Sequence, residues 1–127
     1  MKVAPSPHSV AATVERLLAA LDRRGVPLLA RIDHGAGAAA AGLEMGAEQV
    51  LLFGDARVGT PLMQADPRIG YELPLRLLIW EDEGQTMIGY RSPAELLSAY
   101  AVGAHEETLV RMETLLEVLV VDGTDGA

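Results

Sequence analysis

Cysteine is missing altogether from the 127 residues, which excludes disulfides, thiol nucleophiles, thiolate zinc sites and cysteine-ligated iron–sulfur clusters. Long apolar runs are missing too. Runs such as Val50 to Phe53 and Val118 to Val121 fall far short of the ~18 to 20 residues that a spanning helix needs. The first residues lack the charged and apolar regions of a secretory signal, so a cytoplasmic protein with no membrane partner is expected. Positive charge is scarce: ten basic residues stand against eighteen acidic ones, a net charge of −8, and the only basic cluster is Arg23 with Arg24. A nucleic-acid surface needs a basic footprint to displace phosphate counterions, so DNA and RNA are not expected partners. Internal repeats, low-complexity tracts and interdomain linkers are also lacking.

Half of the residues are apolar and 22% are charged, the balance of a globular chain rather than a disordered one. A chain of this length buries about two thirds of its unfolded surface in one core. The acidic charge is uneven, since residues 104–127 hold one basic and six acidic side chains. Residues 1–103 are expected to form a single α+β domain. Residues 104–127 then form an acidic helix and a frayed tail, belonging to that domain or to a dimer interface.

Val10, Val14, Leu17, Leu18 and Leu21 make the stripe of an amphipathic helix, with Ser9 as N-cap and Gly25 just past its end. Val26 to Ile32 reads as a strand, after which Asp33 caps a short helix over Ala36 to Leu43. Gln49 to Phe53 is the clearest strand. Thr60-Pro61 and Asp66-Pro67 each have the chemistry of a helix start, with the proline at the first helical position. Leu75 to Trp80 and Thr86 to Tyr90 flank the acidic turn Glu81 to Gly84 and predict a hairpin. Ser92, Pro93 and Glu95 make a capping box that opens a helix over Ala94 to Tyr100. Leu109, Met112, Leu116 and Leu119 trace one face of a final helix ending near Asp122 and Gly123. These elements predict an α+β fold, an antiparallel sheet with helices packed on one face; a small βαβ-containing fold is the alternative.

The stretches Asp33 to Ala38, Gly59 to Gln64, Leu73 to Arg76 and Trp80 to Asp82, with Tyr90 and Pro93, resemble a small bacterial and archaeal family, the domain-of-unknown-function family numbered 302. The resemblance runs from near Ser9 to near Val102. It implies a curved antiparallel sheet of the TATA-binding-protein-like group, members that form homodimers, and no established reaction. It places a first strand at Lys2 to Pro5, which is short here, and leaves the extension from about Gly103 outside its pattern.

Asp33 and His34 are an adjacent pair with acid–base or ligand chemistry, at a strand-to-helix transition where side chains often face a cleft. The plainer reading is that Asp33 caps the helix and His34 bonds locally. Ligand contact comes next and metal binding last, because His8, His105 and scattered carboxylates have no ligand spacing. Gly59 to Gln64, with Thr60 at a helix N-terminus, Gln64 beyond it and Arg57 nearby, is a candidate anion site without the glycine and lysine pattern of a phosphate loop. Of the carboxylates in the hairpin turn only Glu81, nearest the strand, is retained as a site residue. Tyr90, Trp80 and Met63 read as packing residues.

No reaction, metal or cofactor is named by this pattern, so no catalytic residue is assigned. The leading expectation is a homodimeric small-molecule binding module whose pocket gathers Asp33, His34, Arg57, Thr60, Gln64 and Glu81. The alternatives are an enzyme using His34 as general acid or base, oriented by Asp33 or Glu81, and an interaction or regulatory protein working through the acidic helix.

Overall fold

The structure, a computed structural model, describes residues 1–125. Part of the expected frayed tail therefore lies outside the described residues. Five strands, β1 (Lys2–Ser6), β2 (Leu28–Asp33), β3 (Glu48–Phe53), β4 (Leu75–Asp82) and β5 (Gln85–Tyr90), pair antiparallel in the order β1-β5-β4-β3-β2. The expected antiparallel α+β sheet is the observed one. β1 and β2 follow one another in sequence yet form opposite edges, so α1 (Val10–Arg23) has to carry the chain across the sheet. Its N-cap is Ser9, whose hydroxyl accepts the Ala12 N–H at 3.1 Å.

Strand alternation sorts the side chains into two faces. Leu51, Phe53, Leu77, Ile79, Ile88 and Tyr90 point inward and pack with Val14, Leu17 and Leu21 of α1 and with Leu116 and Leu119 of α5 (Glu106–Thr124). The outward positions Val50, Leu52, Leu78 and Trp80 are only half-buried. A second cluster, Leu62, Ile69, Leu96, Val102, Leu109 and Met112, lies under the first half of α5. α5 thus joins both clusters, its buried residues being those of the predicted stripe. The β4–β5 hairpin turns through Glu83 and Gly84, at φ 49° and 82°, the paired positive φ of the turn type that matches strand twist.

Two local expectations are corrected. α3 (Ala56–Ala65) starts a turn earlier than Thr60-Pro61 suggests, because Asp55 is its N-cap and accepts the Arg57 N–H at 2.9 Å; Pro61 falls inside the helix. The Asp66-Pro67 start does hold, opening a 3-10 segment (Pro67–Tyr71) on an Asp66 cap. Ser92 caps nothing, since its hydroxyl is drawn to α5 and donates to Glu113 Oε1 at 2.9 Å. The chain after it forms a 3-10 turn (Pro93–Glu95) and then α4 (Leu96–Ala99). The helix after Asp33 is α2 (His34–Ala40), capped as expected by Asp33, whose Oδ1 accepts the Ala36 N–H at 2.8 Å.

Candidate functional site

A cavity of about 590 Å³ opens at the sheet end where β4 begins and β5 finishes, a volume within the range of small-molecule pockets. Six segments distant in sequence meet there. β3 supplies Val50 and β4 supplies Arg76 and Leu78, side chains on the outward face of the sheet. Gly89, paired with Leu78, is tightly covered: a Cβ would stand 2.7 Å from Met1 Sδ and 3.0 Å from the Trp80 ring, so a larger residue would require the Met1 side chain to swing away and the ring to shift. The wall opposite is Tyr71 to Leu75, with a cis Leu73–Pro74 peptide, and Tyr90 to Pro93 closes the end. His34, the first residue of α2, reaches the rim.

Charge in this cavity is distributed unequally. Arg91 is held between Glu72 and Glu95, each at 3.8 Å, and Glu72 also accepts the Tyr100 hydroxyl at 3.2 Å. Arg76 makes no ion pair or side-chain hydrogen bond among the described residues; apart from Arg16, every other basic side chain there lies within 4.0 Å of a carboxylate. Tyr90 is buried, and that burial, with Glu113 nearby, pushes its phenol above the usual range, so the hydroxyl stays a neutral donor. Ser92 is committed to Glu113, which also takes Lys2.

Of the six residues put forward as site residues from sequence, His34 alone lines this cavity. Asp33 is spent on its cap. Arg57 grips Asp55 at 2.8 Å from the solvent side, which lowers the Asp55 carboxyl below its ordinary range and raises the guanidinium. Thr60 and Gln64 are exposed along α3 and line neither cavity, so the expected convergence of Thr60 with His34 is not formed. Glu81 belongs to a second cavity of about 560 Å³, with Ser6, His8, Ser9 and Gln85. No hydrogen bond joins the His34 ring to Asp33 or Glu81 among the described residues. Nor do three or more His, Asp or Glu side chains gather as a metal site among them. Arg76 ended one of the stretches that carry the family resemblance but was not put forward as a site residue, because an arginine flanked by leucines on a strand has no chemical signature of its own; its lack of a partner among the described residues marks it.

A family model described as "Domain of unknown function DUF302" matches residues 2–119. The chain belongs to the DUF302 family. The match takes in β1 and most of α5, so the family pattern does not stop near Gly103 as the motif resemblance implied. The crystal structure of an uncharacterized conserved DUF302 protein from Bacillus stearothermophilus has the same fold, with a TM-score of 0.84 over 95% of both chains at 20% identity. Two curated relatives are named Fluoride-specific ion channel FluC 1, from Brucella suis biovar 1 and Brucella abortus biovar 1. Each is 38% identical over 107 residues, which is 84% of this chain but 42% and 40% of theirs. This DUF302 chain therefore spans about two fifths of the length of the curated relatives it matches. No helix among its described residues is long and apolar enough to cross a membrane.

Proposed function

We propose that this DUF302 chain is a small-molecule binding module, homodimeric and cytoplasmic, whose ligand sits in the cavity at the start of β4. The observation that carries this reading is the cavity itself: about 590 Å³, an apolar floor and a few convergent polar groups, the usual make-up of a ligand site. His34 is the one sequence candidate retained, as a rim contact. A thermal-shift screen against metals, nucleotides, fluoride and small metabolites tests it, because a ligand bound to the native state raises the melting temperature. The shift should appear in wild type and vanish in Leu78→Trp, which fills the floor; a shift left intact by that variant would put the ligand elsewhere. Cell fractionation tests the location.

The homodimer reading rests on β2. It is an edge strand, and Leu28, Leu29 and Ile32 on it are 42–60% exposed, as are Leu43 at 67% and Met45 at 48% in the segment after α2. Such an edge invites pairing with a second copy. An isologous register centred on Ile32 sets Arg31 opposite Asp33 of the second copy, whereas one centred on Arg31 would oppose like charges.

The Brucella names favour a second reading, a regulatory domain that accompanies a fluoride channel. With no spanning helix among the residues described, the matched stretch would serve beside the channel rather than as it. Fluoride flux through vesicles carrying a Brucella relative, measured with and without the stretch that matches this chain, tests that reading; unchanged flux counts against it. The enzymatic use of His34 is the least supported, because its ring has no carboxylate to orient it among the described residues.

A further inference from the structure

We infer that the ligand of this cavity is an organic anion with an apolar body, its charged group held by Arg76 and its body lying along Val50 and Leu78; this rests on the binding-module reading and names its ligand class.

Arg76 pairs with Leu52 across β3 and β4, and the next outward residue along β4 is Leu78, opposite Val50. Two residues of strand separate them by about 7 Å. A ligand lying along β4 therefore meets a cation at one end and a flat aliphatic floor beyond it. On the β5 side the space above Gly89 is taken by Met1 and the Trp80 ring, which bound the floor there. Because Arg76 has no acidic partner among the described residues while the cavity's other arginine lies between two glutamates, the uncompensated charge here is positive. A planar guanidinium offers paired donors that match a carboxylate or phosphate, and an apolar body displacing water from the floor strengthens that bond.

The same features exclude other ligand classes. The lining's one carboxylate, Glu72, is engaged by Arg91 and Tyr100, so nothing is left over for a cation. A polyanion is disfavoured by the net charge of −8, whereas a compact anion needs only one local cation.

Calorimetric titration of the full chain with octanoate, 1-octanol and octylammonium tests the inference. Octanoate should bind saturably and the other two at least about tenfold more weakly, with Arg76→Gln weakening octanoate about tenfold to a hundredfold and Arg76→Lys less. Equal binding of 1-octanol, or unchanged octanoate binding in Arg76→Gln, would overturn anion recognition while loss of binding in Leu78→Trp kept the cavity reading. Octanoate binding that survives Leu78→Trp would sink the cavity reading itself. Absence of saturable octanoate binding to wild type would also overturn the proposal. Urea unfolding of each variant confirms that the comparison is made between folded proteins.

Discussion

Gly123 of α5 lies against Leu17 of α1 so closely that a Cβ built on it would stand 2.7 Å from Leu17 Cδ2 and 2.9 Å from Leu17 Cγ. Leu17 is fully buried and has nowhere to retreat, so the absence of a side chain at 123 lets the two helices pack over the sheet. Gly123→Ala would gain helix propensity of up to about 1 kcal/mol. Overpacking costs about 1–3 kcal/mol and should win. We expect a net loss of about 1 kcal/mol in urea unfolding of the single variant and no such loss when Gly123→Ala is introduced into a Leu17→Ala background; an Ala variant as stable as wild type would show that the two helices tolerate a methyl at this contact.

Asp66 ties the α3 end to a distant loop. Its carboxylate takes the Arg68 guanidinium at 2.8 Å and the Ala101 N–H at 3.0 Å, and these bonds, Arg68 first, hold it well below the usual carboxylate range. A depressed native value means stability that is complete above the ordinary Asp pKa of about 3.9 and is lost as pH falls below it toward the native value. Asp66→Asn should lower the urea midpoint at pH 7 and flatten the loss of stability below about pH 4. It should cost more than Asp55→Asn, because both carboxylates hold an arginine two residues on but only Asp66 is buried and also takes a backbone N–H thirty-five residues away. Parallel acid profiles for wild type and Asp66→Asn would contradict this.

Removal of residues 104–127 should abolish folding. α5 places Leu109, Leu116 and Leu119 wholly inside the core, and loss of several buried leucines at about 2–5 kcal/mol each exceeds the stability of a typical domain. Circular dichroism of the truncated chain checks this. Retained cooperative unfolding would assign the helix to assembly instead.

The β2 edge provides the test of oligomeric state. Ile32→Lys puts a charge in the centre of the proposed two-fold contact and should convert a dimer to a monomer in light scattering after size exclusion. Being 45% exposed, Ile32 contributes little to the monomer core, so thermal stability at high dilution should change by less than about 0.5 kcal/mol. A wild-type chain that elutes as a monomer at all concentrations would remove the dimer reading.

Much of the fold was legible because each element carried a local signal. The α1 stripe with Ser9, the Asp33 cap, the strand ending at Phe53, the hairpin turn and the α5 stripe are each written in a few consecutive residues. Thr60-Pro61 misled for a related reason: two helix starts lay within one turn of each other, and Asp55, fixed by Arg57, took the cap first. Ser92 likewise carried a capping signal that Glu113, twenty-one residues on, overrode.

By itself the sequence determined most of the helices and strands and the exclusion of thiol chemistry, since these follow from side-chain periodicity, capping groups and composition, and it favoured the antiparallel sheet over a βαβ fold without deciding between them. Tertiary structure alone decided which candidate residues meet. His34 reaches a cavity that Thr60 does not; Glu81 lines another; and Arg76 becomes notable through lack of a neighbour. The reason is physical. Periodicity assigns a side chain to a face, but the strand order β1-β5-β4-β3-β2, which carries α1 across the sheet and leaves β2 at an edge, fixes which faces adjoin, and no local stretch of residues encodes that order.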